Sequence, residues 1–121
     1  MAEPYIGAAR VIGVERRHGG ITRDDLPADL DLSGTPRVLL RTWYSDLDDT
    51  CWDETFPYPD AALIHWLASR GVVLIGVDTP SFDAADSTAL SGHAALWQHG
   101  VANLENLLLR GVVDGVYELI A

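Results

Sequence analysis

The 121-residue sequence is poor in several chemically informative residue types. Cys51 is the single cysteine, so the chain cannot form an internal disulfide or a thiolate cluster, and a reducing cytoplasm is the expected location. Basic residues number 8 against 18 acidic ones, a formal net charge of −10. Because a negative surface repels phosphates and anionic lipids, we expect neither a nucleic acid nor a membrane partner. No apolar run approaches the roughly 18 residues of a membrane-spanning helix.

Common catalytic and nucleotide-binding signatures are also missing from the sequence. It has no glycine-rich dinucleotide or phosphate loop and no G-x-S-x-G nucleophile motif. Internal repeats and low-complexity tracts are absent as well. These absences remove several enzyme and repeat classes and leave an ordinary globular chain, of which 48% is apolar. We expect one domain over residues 1–121.

The remaining pattern predicts an α/β fold, in which strands alternate with helices. Apolar runs typical of strands occupy residues 8–14, 37–42, 72–77 and 117–121. A first helix is expected to begin near Asp60 and to end at Gly71, with an apolar stripe of Leu63, Ile64, Leu67 and Ala68. A second is expected from about residue 87 to 99, with Leu90, His93, Ala94 and Trp97 on one face toward the core.

Three features could carry chemistry: the loop at 78–86, His93 and Glu105. Each has an ordinary structural interpretation. The loop residues can form turn hydrogen bonds, His93 can be a hydrogen-bonded core residue, and Glu105 can point to solvent. Together they are more informative, because a buried carboxylate must be protonated, paired or bound to a metal. His93 and Glu105 could therefore pair with each other or share a metal ion. The other histidines, His18, His65 and His99, are expected to have structural or solvent roles.

The segment Leu74-Ile75-Gly76-Val77-Asp78-Thr79-Pro80-Ser81-Phe82-Asp83 resembles the strand-and-loop signature of bacterial kynurenine formamidases, within the wider cyclase-like hydrolase family. The resemblance continues through Asp86-Ser87, Gly92-His93 and Leu104-Glu105-Asn106-Leu107, and ends at Tyr117-Glu118-Leu119-Ile120-Ala121. Upstream, Pro36-Arg37-Val38-Leu39-Leu40-Arg41-Thr42 is similar to the family's preceding strand. The similarity therefore covers most of the chain from Pro36 onward.

The resemblance implies a swivelling β/β/α fold, a homodimer and a site for two metal ions, usually zinc. These enzymes hydrolyse N-formylkynurenine to kynurenine and formate in tryptophan breakdown. His93 matches a histidine that binds one metal, and Glu105 matches a glutamate that contacts both. Metal ions in such a site would lower the pKa of a bound water and polarise the formyl carbonyl. Asp78, Thr79, Pro80 and Ser81 would support the substrate pocket without a catalytic role.

The sequence also departs from the family pattern. The family's segment of the form His-x-Gly-Thr-His-x-Asp, and the catalytic histidine that follows it, have no counterpart here, since His18 stands alone. The chain thus looks truncated at both ends relative to the family, with no catalytic residue of its own. One hypothesis is a formamidase-like enzyme completed by another segment or chain, or a related hydrolase that acts on another small (cyclic) amide. The contrasting hypothesis is a non-catalytic domain that serves as an interaction module, because two ligands do not make a zinc site.

Overall fold

A computed structural model describes residues 3–48 and 50–121. The strands in this part of the chain are β1 (Ile6–Gly13), β2 (Gly20–Ile21), β3 (Arg37–Arg41), β4 (Tyr58–Pro59), β5 (Leu74–Val77), β6 (Ala102–Leu104) and β7 (Gly115–Ile120). The α-helices are α1 (Ala61–Ser69) and α2 (Ser91–His99), and short 3₁₀ turns occur at Arg23–Asp25 and Trp43–Asp46. The predicted α/β class is confirmed. Within these residues no helix is both long and apolar enough to cross a lipid bilayer.

The main sheet of the described chain has the strand order β6-β5-β3-β1-β7. Strands β6, β5, β3 and β1 run parallel to one another, whereas β7 runs antiparallel along β1 with Ile6 opposite Ile120. β2 and β4 form a separate parallel pair. The parallel strands therefore end at one common edge of the sheet.

Alternating side chains of the central strands build an apolar core on each face of the sheet. On β3, Val38 and Leu40 join the larger cluster with the helices, whereas Leu39 points to a smaller cluster on the opposite face. That smaller cluster includes Leu109, which comes from the segment between β6 and β7. All four residues of β5 are buried, as expected for a strand that lies between β3 and β6.

Helix α1 forms as its sequence predicts. The Asp60 side chain accepts a hydrogen bond from the backbone N–H of Leu63 at 2.7 Å and so caps the helix. Leu63, Ile64 and Leu67 are buried against the sheet. The helix ends before Gly71, whose φ of +87° is the left-handed conformation that favours glycine.

Helix α2 differs from the prediction in its start and in its buried face. It begins at Ser91, not near residue 87, and buries Gly92, Ala95 and Leu96. The predicted core face is wrong: Trp97 is 88% exposed, and Leu90, just before the helix, is 47% exposed. Small residues line the buried face because α2 approaches the preceding loop closely. A Cβ atom at Gly92 would collide with the Phe82 carbonyl oxygen.

Candidate metal and substrate site

Three polar side chains follow directly after three neighbouring parallel strands. Thr42 comes after β3, Asp78 after β5 and Glu105 after β6. Because the carboxyl ends of parallel strands meet at one edge, the topology collects these residues where α/β proteins usually bind ligands. The sheet therefore places the predicted residues Asp78 and Glu105 at the same edge.

The Asp83 carboxylate organises the start of α2. It accepts hydrogen bonds from the backbone N–H groups of Gly92 at 2.6 Å and His93 at 3.0 Å, and so acts as a helix cap from outside the helix. Leu90, the residue at the capping position, has no side-chain acceptor and adopts a φ of +51°. Burial pushes the pKa of Asp83 upward, but the hydrogen bonds from Gly92 and His93 outweigh it and hold that pKa below its ordinary value. Asp83 is thus an anion at neutral pH.

The same carboxylate orients the His93 ring. His93 Nδ1 lies 2.6 Å from an Asp83 oxygen, so the Nδ1–H donates and Nε2 is the ring nitrogen left to bind another group. A carboxylate that fixes the tautomer of a histidine in this way is the usual outer partner of a metal-binding histidine. The sequence predicts that His93 faces the core. Its side chain is instead 41% exposed, so His93 lies partly at the protein surface.

His93 Nε2 faces the Glu105 carboxylate at 3.4 Å. The contact is within ion-pair distance, but its geometry is not that of a hydrogen bond, and the buried Glu105 Oε2 has no hydrogen-bond partner among the described residues. A lone pair and a carboxylate oxygen that face each other repel unless a proton or a cation lies between them. The histidine nitrogen and the carboxylate oxygen are both donors that zinc accepts, so the two residues fit a metal ion.

The fit is partial. In the described part of the chain, no group of three or more His, Cys, Asp or Glu side chains is arranged to hold a metal ion. Catalytic zinc usually has three protein ligands and one open position. His93 and Glu105 alone are fewer protein ligands than such a zinc site has.

Asp78 is a buried hydrogen-bond acceptor for a neighbouring loop. Its carboxylate accepts from the backbone N–H and the hydroxyl of Thr42, at 2.7 and 2.8 Å, and from the Ser45 hydroxyl at 2.6 Å. Burial raises the pKa of Asp78, although the hydrogen bonds from Ser45 and Thr42 oppose that effect. These hydrogen bonds connect the ends of β3 and β5, which suits the supporting role expected for the loop that begins at Asp78.

A cleft of about 350 Å³ opens beside this network. Asp78 and Pro80 lie on its wall, together with Tyr44, Trp52 and Leu108. Thr79 and Ser81 do not line it; the Ser81 hydroxyl instead accepts a hydrogen bond from the Asp83 backbone at 3.1 Å. Only part of the predicted pocket loop therefore contacts the cleft.

A larger cleft of about 480 Å³ lies at the ends of β1 and β3, where Arg41 pairs with Asp114 at 2.8 Å. Neither this cleft nor the smaller one is lined by a histidine. We regard the smaller cleft as the substrate candidate because Asn106, next to Glu105 in the chain, contributes to its wall.

The functional role of Asp83 is the main feature that sequence reasoning missed. In the sequence Asp83 stands out only as the end of the loop signature, ten residues before His93. An acidic residue upstream of a helix that begins with Ser-Gly-His is a weak capping signal, since local capping places the acceptor next to the helix. The networks of Asp78 with Thr42 and Ser45 were likewise invisible, because they join distant parts of the sequence.

Comparison with known families decides the ancestry. Residues 1–84 match the Cyclase family. The chain belongs to this family. The match includes the N-terminal third of the chain, so the similarity extends further than the region from Pro36 onward that the motifs indicated.

Individual relatives give the same result. The chain is 42% identical to a kynurenine formamidase of Bordetella petrii, in an alignment that covers 98% of this chain and 56% of the relative. It is 40% identical to the kynurenine formamidase of Bacillus mycoides, covering 97% and 54%, and 38% identical to that of Salinibacter ruber, covering 98% and 56%. The chain thus spans about half the length of these relatives.

Solved structures confirm the cyclase-like fold. One, described as a potential metal-dependent hydrolase with cyclase activity, superposes with a TM-score of 0.78 at 26% identity over 94% of this chain and 55% of the other. A second, described as a predicted metal-dependent hydrolase from Bacillus stearothermophilus, gives 0.77 at 24% identity over 94% and 54%. The described part of the chain therefore has the fold that the resemblance implied.

Proposed function

We propose that this chain forms part of a metal-dependent amide hydrolase of the kynurenine formamidase type, which converts N-formylkynurenine to kynurenine and formate in tryptophan catabolism. The observation that carries the proposal is the arrangement of His93 and Glu105. His93 Nε2 faces the buried Glu105 Oε2 across 3.4 Å, and that oxygen has no hydrogen-bond partner in the part of the chain that the structure describes. Relatives named kynurenine formamidase, which align over nearly all of this chain, support the substrate assignment.

Each residue has a distinct task in this proposal. Glu105 and His93 would hold the metal, most simply zinc, and Asp83 keeps the His93 ring in the tautomer that can coordinate. When bound, the metal supplies a water of lowered pKa and polarises the substrate carbonyl. The negative charge of Asp83 also stabilises the positive charge that the His93 ring gains when it donates electron density.

The cleft beside Asp78 is the proposed substrate pocket. Tyr44 and Trp52 offer aromatic surfaces and Leu108 an aliphatic one, which suit the aryl ring of a formanilide-like substrate. Asp78 would support the pocket by fixing Thr42 and Ser45 and not by contacting the reacting atoms. Apolar contact with the aryl ring would orient the formyl group.

Several further features belong to the same proposal. Two zinc ions per complete site, assembly as a homodimer and a cytoplasmic location follow from the family resemblance and the cysteine usage given above. Since His93 and Glu105 are two ligands only, the remaining ligands and the acid–base group would come from a segment of the form His-x-Gly-Thr-His-x-Asp outside these 121 residues.

The test is N-formylkynurenine hydrolysis by the chain with and without a co-expressed segment that carries the His-x-Gly-Thr-His-x-Asp motif, in the presence of zinc. We expect activity in the combined sample and its loss in Glu105→Gln. The matched control is Glu118→Gln, an exposed position on β7. Zinc binding without turnover of this substrate, but with turnover of a cyclic amide, would reassign the substrate within the family.

The competing function is a non-catalytic interaction module. The incomplete ligand set among the described residues favours it, as do the 88% exposure of Trp97 and the 76% exposure of Leu108. This alternative predicts neither zinc binding at His93 and Glu105 nor hydrolysis in the combined sample. Absence of both would replace the hydrolase proposal.

A further inference from the structure

Two histidines outside the candidate site contact each other across the helix pair. His65 lies in the middle of α1, and His99 is the last residue of α2. His65 Nδ1 and His99 Nε2 are 2.8 Å apart, with ring centroids separated by 4.6 Å and planes inclined by 71°. His65 is exposed and His99 is half-buried, so solvent reaches the pair.

The nitrogen spacing suits shared coordination of a cation. Metal–imidazole bonds of about 2.0–2.1 Å put two nitrogens about 2.9 Å apart at a right angle and about 3.4 Å apart at the tetrahedral angle. The observed 2.8 Å is close to the first value. Water can fill the remaining positions because the site is open to solvent, and imidazole nitrogens suit nickel, copper and zinc.

The position of His99 favours a cation in a second, independent way. It lies at the carboxyl end of α2, where the carbonyl groups of the last turn carry a partial negative charge. A positive ion held there gains from the helix dipole, which the middle of α1 does not offer. We propose that His65 and His99 form a surface site for a divalent transition metal ion that links α1 to α2.

This site is separate from the one at His93 and Glu105. His93 is near the amino end of α2 and is held by Asp83, whereas His99 is six residues further along, or about 9 Å at 1.5 Å per residue. The two sites can therefore be tested independently of each other and of the hydrolase proposal. Because the ion would bridge two helices that pack on the same core, its binding should stabilise the fold.

The experiment uses nickel chloride as the probe, with isothermal titration calorimetry for affinity and thermal unfolding for Tm. We expect the His65/His99 site to bind one nickel ion with a rise in Tm, in the parent protein and in His93→Ala alike. His65→Ala and His99→Ala should each bind at least about tenfold more weakly and lose the rise, because each removes one of two protein donors. Circular dichroism would establish that the variants are folded, as expected for side chains near the surface.

His18→Ala is the matched control, since His18 is an exposed histidine whose ring bonds to the Thr55 carbonyl at 2.8 Å. It should bind nickel as the parent does. Equal nickel affinity in His65→Ala, His99→Ala and the parent would overturn the proposal, and so would a parent protein that binds no nickel. In either case the 2.8 Å contact would be a hydrogen bond between the two imidazole rings.

Discussion

Asp83 holds His93 at two atoms with one carboxylate oxygen: the backbone N–H at 3.0 Å and the ring Nδ1 at 2.6 Å. The second oxygen accepts from the Gly92 backbone at 2.6 Å. A single side chain thus caps α2 and sets the direction of His93 Nε2. Helix stability and metal-site geometry are coupled through this residue.

Replacement of Asp83 by alanine should affect both properties. The free energy of unfolding should fall by about 1–2 kcal/mol, as for the loss of a helix cap. Zinc affinity should fall about 10- to 100-fold, as for the loss of an outer partner of a metal-binding histidine. Urea denaturation and zinc titration measure the two effects. Asp86→Ala, at an exposed position of the same loop, is the control and should change neither. An unchanged zinc affinity in Asp83→Ala would mean that Asp83 caps α2 but does not orient His93 for metal binding.

The difference in the free energy of unfolding between the parent and Asp83→Ala should shrink as the pH falls. Burial raises the pKa of Asp83, but hydrogen bonds outweigh it, so the folded-state pKa lies below the ordinary 3.8. The unfolded chain therefore binds the proton more readily, and the contribution of Asp83 is complete above about pH 4. It is lost as the pH falls through the lowered folded-state pKa. Urea denaturation between pH 7 and pH 2.5 tests this, and a difference that grows on acidification would contradict it.

Gly92→Ala should destabilise the protein despite the helical position of this residue. The added methyl group would collide with the Phe82 carbonyl oxygen, a backbone atom that cannot move without shifting the Asp83 loop. We expect a loss of about 1–3 kcal/mol, typical of overpacking. Ser91→Ala, one residue earlier and exposed, should change stability by less than about 0.5 kcal/mol. If Gly92→Ala stabilises α2 by helix propensity alone, the close approach to Phe82 is not present in solution.

Leu96 and Trp97 are neighbours on α2 with opposite surroundings. Leu96 is 4% exposed and Trp97 is 88% exposed. Leu96→Ala should therefore lower the free energy of unfolding by about 2–5 kcal/mol, whereas Trp97→Ala should change it by less than about 0.5 kcal/mol. Thermal or urea unfolding of the two variants measures the contrast. The reverse order would support the face originally predicted from the sequence.

The sequence predicts those elements whose apolar pattern is unambiguous. The run that forms β5 and the stripe of α1 both fold as expected, because bulky apolar residues and clear helix ends specify them. The pattern of α2 is misleading, since the bulky Trp97 faces solvent while Gly92 and Ala95 pack on the protein. Close packing selects small residues there, and a count of hydrophobic side chains does not detect that requirement.

Some residues of the candidate site could be named from the sequence, and others could not. His93 and Glu105 could be named from the sequence because they match a family pattern, and the structure brings them to 3.4 Å. Asp83 could not be assigned its role, since a cap that reaches back from a loop depends on the tertiary path of the chain. The contact between His65 and His99 depends on how α1 packs against α2, which periodicity does not specify.

The most direct test of the central claim is the zinc content of the chain purified together with the co-expressed His-x-Gly-Thr-His-x-Asp segment, after dialysis against micromolar zinc. The His65→Ala background removes the second histidine site from the measurement, and elemental analysis is combined with the intact mass. The account predicts bound zinc in this background, and its loss when His93→Ala or Glu105→Gln is added. Zinc content that is unaffected by those two substitutions, or absent from the background protein, would contradict the claim that His93 and Glu105 share a metal ion.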